Sequence, residues 1–356
     1  MEIDDRESRA VGLLFGCAAG DSLGLPGERL GRKRWASRFP GPLRQRFLFG
    51  HGMVSDDTEL SILVTQAVLS SAGDSESFLL SLSWRLRYWL LFLPSGCGWA
   101  TLRAVLRLWC GVSCRESGVK SAGNGAAVRS AVLGALFPDP IERHDFVRLS
   151  TRLTHRDERA FVGALAVAEM AALTLRVPVG RKPEMAEVSA RLRMAASGDA
   201  EWTELVDRME TGWRNAMTVE AFADSLGLAK GVSGYVYHTV PVAVYGWFLH
   251  YGDVAATLES VIKCGGDTDS TGAIAGALAG AAAGESGIPP EYLNRICDYP
   301  WSVTFLRRLG EQLARFSKGV PATVVPTAYW AIPFRNLLFG ATVYVHILLR
   351  LLLFWR

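Results

Sequence analysis

The chain has 356 residues, of which 49% are hydrophobic and 21% are charged. This is enough apolar sequence for a substantial core, and it excludes a largely disordered protein. The formal net charge of +3 is too small to indicate a nucleic-acid-binding protein. Because the first residues are charged, we expect no secretory signal, and six scattered cysteines favour reduced thiols in a cytoplasmic protein.

Apolar residues recur at helical spacing along most of the chain, whereas alternating β-branched runs are nearly absent. The segments predicted to be helical are, in chain order, 11–19, 59–69, 78–92, 126–136, 160–175, 240–251, 254–263 and 273–283. The last segment is built of small residues, which let neighbouring helices approach closely, so we expect it at the buried centre. Residues 178–200 are polar and are interpreted as a surface excursion. These patterns predict an all-α fold, a compact multi-helix single domain over residues 1–320.

Residues 321–356 are interpreted as a C-terminal extension that carries one more apolar helix, over 336–356. Its apolar run, 337–349, is shorter than the ~20 residues that a bilayer span requires. Thr342, His346 and Arg350 recur every fourth residue and form one polar strip on this helix. Packing on the domain or on a partner is favoured, and an interfacial membrane contact and a tail anchor remain as alternatives.

Two acidic clusters stand far apart in the sequence, and each precedes an apolar helical segment. The first is Ser55-Asp56-Asp57-Thr58-Glu59, and the second is Asp267-Thr268-Asp269-Ser270-Thr271. Carboxylates this close repel one another unless they are solvated or neutralised by a cation. Oxygen donors without nearby His or Cys favour magnesium, manganese or calcium over zinc. We therefore interpret the clusters as two halves of one metal site, suited to hydrolysis.

A simpler interpretation is available for each cluster taken alone. Ser and Asp before a helix are common N-caps, because their side-chain oxygens accept hydrogen bonds from the free N–H groups of the first turn. Capping needs one oxygen, however, and both clusters offer several. Two such clusters, both near glycines, therefore favour the shared metal site.

Four more stretches have the composition of ligand-binding loops. They are 16–28, a helix that ends in a glycine-rich turn with Glu28, then 121–129, Thr154-His155 and 231–237. Glycine lets the backbone approach a ligand, and helix N-termini attract phosphate. Taken singly, Gly123-Asn124-Gly125 is also typical of a turn, and His155 of an exposed or capping histidine.

Taken together and in this order, the clusters and loops resemble the ADP-ribosylglycohydrolase family, over residues 11–284. The resemblance implies an all-α fold, a binuclear centre of two Mg²⁺ or Mn²⁺ ions, and removal of ADP-ribose from modified protein side chains. It places metal ligands at Ser55, Asp56, Asp57, Asp267, Asp269 and Ser270, with Asp269 as the bridge. Asp57 and Asp269 are thereby catalytic, together with Glu28 near the scissile bond.

The same resemblance implies that Gly123, Asn124 and Gly125 line the ADP-ribose cleft and that His155 lies near the nucleotide. Serine replaces the threonine that is common at the positions of Ser55 and Ser270, but a hydroxyl oxygen remains. The arginine-rich stretch 29–47 departs from the family pattern. It is interpreted either as a solvated loop or as a surface that attracts an acidic partner.

Three functions compete on this sequence. The favoured one is a metal-dependent hydrolase of ADP-ribosylated proteins, with arginine linkage slightly preferred and with immunity against an ADP-ribosylating toxin as a biological variant. The second is a catalytically weak ADP-ribose-binding protein that occludes a partner. The third is a different two-metal hydrolase.

Overall fold

A computed structural model describes residues 5–94, 96–196 and 198–352, and the regular secondary structure in this part of the chain is almost entirely helical. The helices are α1 (Asp5–Gly24), α2 (Arg32–Arg38), α3 (Asp56–Ser71), α4 (Ser75–Leu91), α5 (Trp99–Trp109), α6 (Ala131–Leu136), α7 (Pro140–Arg152), α8 (Glu158–Arg176), α9 (Met185–Met194), α10 (Ala200–Arg214), α11 (Val219–Ser225), α12 (Val236–Leu249), α13 (Val254–Ile262), α14 (Thr268–Ala283), α15 (Pro290–Leu293), α16 (Val303–Ser317) and α17 (Ile332–Leu352). The strands β1 (Leu30–Gly31) and β2 (Gly265–Gly266) pair antiparallel. The all-α prediction is therefore confirmed.

The centre of the domain is the contact between α1 and α14. Both helices carry a glycine at every fourth position, and the two rows face each other. A Cβ atom on Gly16 would lie 2.0 Å from the carbonyl oxygen of Gly276, and one on Gly20 would lie 2.0 Å from that of Gly272. Since no side chain fits between them, the two backbones touch. This explains why the small-residue segment is buried, as the sequence predicted.

Most of the predicted helices are present, with ends that differ by a few residues. One needs correction, because α6 begins at Ala131 rather than at residue 126. The chain before it forms a short 3₁₀ turn, Asn124–Ala126, in which Asn124 bonds to another loop. The hydrogen bond from the Asn124 N–H to the carbonyl oxygen of Gly234 holds this loop outside a longer helix.

Several helices were not predicted because their apolar residues alternate with charges. The clearest is α16, which buries Leu306, Leu309 and Leu313. The polar segment 178–200 contains α9, which buries Val188 and Leu192. These residues belong to the same apolar core as the rest of the domain, so this segment does not mark a domain boundary.

The C-terminal helix α17 is present and begins four residues earlier than predicted, while residues 353–356 lie outside the described part of the chain. Its predicted polar strip faces the domain: Thr342 is buried, and His346 Nε2 lies 2.7 Å from the carbonyl oxygen of Phe47. The side chain of Arg350 is not among those described. One face of the helix therefore packs on the domain, as the sequence favoured.

Candidate functional site

The first acidic cluster begins helix α3, and its backbone is held by a buried carboxylate on α1. Oδ2 of Asp21 accepts hydrogen bonds from the N–H groups of Ser55, at 2.9 Å, and Thr58, at 3.1 Å, and from the Thr58 hydroxyl. Ser55 is the N-cap, and its hydroxyl accepts from the N–H of Asp57 at 3.2 Å. Capping and site formation thus coexist, because the cap leaves the carboxylates of Asp56 and Asp57 free to face the cleft.

Asp21 was not identified as a site residue from the sequence. It is fully buried, and burial raises its pKa to about 6 although hydrogen bonds from Thr58 and Ser55 oppose this. Its second oxygen, Oδ1, is buried without a hydrogen-bond partner. The available signal was an aspartate inside an otherwise apolar helix, where an unpaired charge is costly.

Glu59 supports the first cluster from below rather than lining the cleft. Its carboxylate accepts hydrogen bonds from the indole N–H groups of Trp89 and Trp301 and pairs with Arg335 of α17 at 2.7 Å. The Arg335 guanidinium also donates to the carbonyl oxygen of Val54 and to Asp298. The C-terminal helix therefore fixes the residues that lead into α3, a link that no local sequence pattern shows.

The second cluster is positioned by a set of backbone pairings around β2. Gly265 and Gly266 both have positive φ, and a Cβ on Gly266 would lie 1.9 Å from the carbonyl oxygen of Val232. The N–H of Asp267 donates to that same oxygen at 2.8 Å. Glycine is required here by both conformation and space. The pairing delivers Asp267 and Asp269 at the start of α14.

The two clusters meet in space. Asp57 at the start of α3 and Ser270 at the start of α14 line the same cleft, and the charge of Asp267 helps to raise the pKa of Asp57. Burial, reinforced by neighbouring carboxylates, raises the pKa of Asp56, Asp57 and Asp269 well above the usual aspartate range. Such a group of acids is costly to ionise fully unless a cation neutralises it.

The donor set fits hard divalent cations that retain water. Among the residues that the structure describes, no three Asp, Glu, His or Cys side chains form a ready cage for one ion. Magnesium commonly uses one or two carboxylates and completes its shell with water or substrate oxygens. Four clustered aspartates, two serine hydroxyls and the unpartnered Asp21 Oδ1 match this requirement without any thiol or imidazole.

Glu28 is brought beside the second cluster by the small sheet. Leu30 and Gly31 pair with Gly266 and Gly265, and the N–H of Arg29 donates to the carbonyl oxygen of Gly266 at 2.7 Å. The Glu28 carboxylate is 31% exposed and accepts a hydrogen bond from the Arg29 side chain at 3.2 Å. Its charge contributes to the raised pKa of both Asp56 and Asp269. It therefore stands at the cleft, within electrostatic reach of both clusters.

The loop 123–125 lines the opposite part of the cleft and also contacts the second cluster. The side-chain amide of Asn124 donates to Asp267 at 2.7 Å and to the Thr239 hydroxyl at 3.0 Å. Its backbone N–H donates to the carbonyl oxygen of Gly234 at 3.0 Å. Asn124 therefore orients an acidic side chain besides lining the cleft.

His155 lies directly behind this loop. A Cβ on Gly123 or Gly125 would approach its ring to 3.4 or 3.3 Å. Burial, with repulsion from Arg129, lowers the pKa of His155 to about 3, so the ring is neutral near pH 7. Its Nδ1 lies 2.8 Å from the Thr154 hydroxyl. A ligand in the cleft therefore meets an uncharged imidazole or the glycine backbone that covers it.

These groups line one cleft of about 650 Å³. Ten of the sequence-predicted site residues line it, while Ser55 lies beneath its floor; the ten are Glu28, Asp56, Asp57, Gly123, Asn124, Gly125, His155, Asp267, Asp269 and Ser270. The loop 96–98 and the first turn of α5, with Trp99 exposed at the rim, also line it and were not predicted. A Cβ on Gly96 would lie 3.2 Å from Oδ1 of Asp56, so this loop lies against the first cluster.

The chain is similar in sequence and fold to several known proteins. The protein YegU of Escherichia coli (strain K12) is 28% identical over 307 residues, covering 80% of this chain and 90% of that protein. The ADP-ribosyl-[dinitrogen reductase] glycohydrolase of Rhodospirillum rubrum is also 28% identical over 307 residues, covering 81% and 90%. A solved structure, an ADP-ribosylglycohydrolase-related protein complex, shares the fold with a TM-score of 0.64 at 22% identity, over 88% of this chain and all of that one. The ADP-ribosylglycohydrolase family profile matches residues 2–320. With nearly the whole chain matched, this protein belongs to the ADP-ribosylglycohydrolase family.

Proposed function

We propose that this protein is a metal-dependent hydrolase that removes ADP-ribose from ADP-ribosylated protein side chains. The observation that carries the proposal is the convergence of Glu28 and both acidic clusters on one cleft. A protein that merely bound ADP-ribose would have no need for several buried carboxylates beside the ligand, because each one costs stability while it is unneutralised.

Two divalent ions, Mg²⁺ or Mn²⁺, are proposed as the cofactors. Ser55, Asp56 and Asp57 would hold them from α3, and Asp267, Asp269 and Ser270 from α14. Such ions supply Lewis acidity towards ribose hydroxyls and water. Ser55 would need to turn its hydroxyl from the Asp57 N–H to the ion or to use its remaining lone pair.

The other steps of the reaction are assigned to residues of the cleft. Cleavage at the anomeric carbon of ribose develops positive charge on the sugar, and water must reach one face of it. Glu28 offers a carboxylate at the cleft that can take a proton from this water or position the ribose. The glycine backbone at 123–125 allows close approach of the pyrophosphate. Neutral His155 backs this loop without adding charge.

An arginine linkage is slightly favoured for the acceptor. The partly exposed Glu28 carboxylate already accepts a hydrogen bond from the guanidinium of Arg29, and it can do the same for a modified arginine. Reversal of the action of an ADP-ribosylating toxin would be one biological use of this activity.

The test is release of ADP-ribose from peptides modified through arginine, serine or another defined linkage, with magnesium, manganese or no metal. We expect metal-dependent release, fastest from the arginine conjugate. If the protein binds free ADP-ribose tightly but releases none from any peptide with either metal, it is an occluding ADP-ribose-binding protein. Fastest release from serine would keep the hydrolase and reject the arginine preference.

Replacing Glu28 separates chemistry from binding. Glu28→Gln is expected to lower turnover about 10²- to 10⁴-fold, the usual contribution of a positioned acid or base, while ADP-ribose binds within a few-fold of wild type. The matched control is Glu291→Gln on the exposed start of α15, which should change neither. Full activity in Glu28→Gln would reject the assigned role.

A shared metal centre predicts how substitutions in either acidic cluster affect both ions. Asp57→Asn and Asp269→Asn should each abolish metal-stimulated activity. Asp269→Asn should also weaken the binding of both ions, as measured by calorimetry. Calcium should substitute poorly, because it prefers more ligands at longer distances. Two sites that respond independently to these substitutions would contradict the shared centre.

A further inference from the structure

The C-terminal helix α17 is docked along one face only. Arg335, Asn336 and Phe339 are buried, and Phe339 packs on the ring of Phe47 at a centroid distance of 4.9 Å. Arg335 is anchored in the domain by its pairs with Glu59 and Asp298. This inner face carries the polar groups of the described helix, so the remaining surface has almost none.

The opposite face is a continuous apolar surface, which we call the outer stripe. Its side chains follow one another at helical spacing and are all exposed: Phe334, Leu337, Leu338, Ala341, Tyr344, Val345 and Leu348. Phe334 is 70% exposed and Leu337 is 74% exposed. A stripe of this length without charged residues indicates an interaction surface rather than scattered surface hydrophobics.

By length and mean hydropathy alone, Tyr329–Leu349 could cross a bilayer, and only 28% of its most apolar stretch is buried. The other apolar segment of this length lies within Asp5–Gly27, where residues 9–27 are buried in the core. Spanning would pull Arg335 away from two buried carboxylates, which would remain unneutralised. The anchored inner face therefore favours a helix that lies flat on a surface.

Positive charge is concentrated near the C-terminal end of the same helix. A surface pocket next to the end of the helix is lined by Arg38, Arg44, Arg46 and Arg295 together with His346 and Leu349, and its lining contains no carboxylate. We call these four residues the arginine pocket. Burial and repulsion from Arg44 lower the pKa of Arg46, which shows how close the charges lie. After Glu311 the sequence contains no Asp or Glu at all.

Two aromatic side chains that are close in the chain to α17, or to its contact residue Phe47, are exposed. Phe49 is 97% exposed at the turn between the bridged residues Leu48 and His51, two residues beyond Phe47, which touches α17. Trp330 is 71% exposed just before the helix. Exposed aromatic groups beside an apolar stripe are typical of proteins that enter the headgroup region of a membrane.

We propose that the outer stripe and the arginine pocket together bind the surface of an anionic phospholipid membrane, with α17 parallel to it. Apolar side chains enter the boundary between headgroups and acyl chains, and the arginines pair with lipid phosphates. A second copy that paired through α17 would cover the stripe, but the sequence after Glu311 would offer the arginines no carboxylate. An anionic bilayer satisfies both features. The contact is peripheral and goes beyond the proposed hydrolase function.

The test is flotation of the full-length protein with two kinds of vesicle, phosphatidylcholine alone and phosphatidylcholine mixed with phosphatidylglycerol. Wild type should float with the anionic vesicles only, and binding should weaken as sodium chloride is raised, because salt screens the arginines. Carbonate should release the protein from the vesicles.

Matched variants assign the binding to the two features. Leu337→Glu should reduce partitioning more than tenfold, whereas Ile141→Glu, equally exposed at 74% on α7, should not. Arg44→Glu should reduce it about fivefold or more, since each arginine near an anionic surface contributes roughly 1 kcal/mol. The control Arg181→Glu, also exposed, should leave it unchanged.

Each other outcome overturns the proposal. These outcomes are no binding to either vesicle, equal binding to neutral vesicles, equal loss in the control variants, or carbonate-resistant insertion, which would mean that the helix spans. A dimer in light scattering that Leu337→Glu dissociates, without vesicle binding, would assign the stripe to a second copy. Retained hydrolase activity in Leu337→Glu checks that this variant is folded.

Discussion

Replacing Arg335 by methionine should destabilise the domain strongly, although Arg335 lies far from the cleft in sequence. Its side chain is 4% exposed, and its partners Glu59 and Asp298 are 1% and 0% exposed. Methionine keeps the apolar stem and removes the charge, which leaves two buried carboxylates without their cation. Removing one partner of a buried ion pair typically costs about 3–5 kcal/mol.

That loss can be converted into a melting temperature. An unfolding entropy of roughly 2.1 cal/mol/K per residue gives about 0.7 kcal/mol/K for a chain of this size. The melting temperature should therefore fall by about 4–7 °C in differential scanning calorimetry. The control Arg308→Met, exposed on α16, should change the free energy of unfolding by less than about 0.5 kcal/mol.

A double-mutant cycle distinguishes the ion pair from a packing defect. Asp298→Asn should cost less in the Arg335→Met background than in wild type, because one of the two unneutralised carboxylates is then gone. A shift below about 1 °C for Arg335→Met, or additive effects in the cycle, would refute the reasoning. Either result would mean that α17 does not fix the approach to α3 through charge.

Three further predictions concern the site and the core. Because Asp56, Asp57 and Asp269 have raised pKa values when folded, the metal-free protein should lose stability as pH rises from about 3.8 through those values, and magnesium should raise the melting temperature more at pH 8 than at pH 5. Asn124→Ala should weaken the binding of ADP-ribose in calorimetry. It should also raise the magnesium concentration needed for half-maximal activity, because Asp267 loses a hydrogen-bond donor. An unchanged magnesium dependence would contradict this. Gly16→Ala should destabilise the fold by several kcal/mol in urea unfolding, as overpacking does, whereas Gly98→Ala, whose Cβ would meet open space, should not.

Much of the candidate site could be predicted because its chemistry is local in the sequence. Each acidic cluster packs its oxygen donors into a few residues, and each precedes a helix that presents them together. Gly265 and Gly266 directly before the second cluster could be noted in the sequence, but their positive φ and their close contact with Val232 required the structure. The order of these motifs also sufficed to recognise the family, which the profile match confirms.

The supporting residues could not be predicted in the same way. Asp21 is one aspartate in an apolar helix, and only the fold shows that it bonds to the backbone that leads into α3. The loop that ends in Trp99 carries no motif, yet it forms part of the cleft wall. These contacts join residues far apart in sequence, and their chemistry has no local periodicity.

The sequence by itself determined the helical class, the small-residue core helix and the acidic motifs, because helical periodicity, residue size and clustered charge act over a few neighbouring positions. Only the tertiary structure decided that Asp57 and Ser270 line one cleft, that α17 reaches under α3 through Arg335, and that its polar strip turns inward and leaves an apolar face exposed. The physical reason is that such pairings follow from how whole helices pack. The close approach of α1 and α14 along their glycines sets the positions from which every other side chain must reach the cleft.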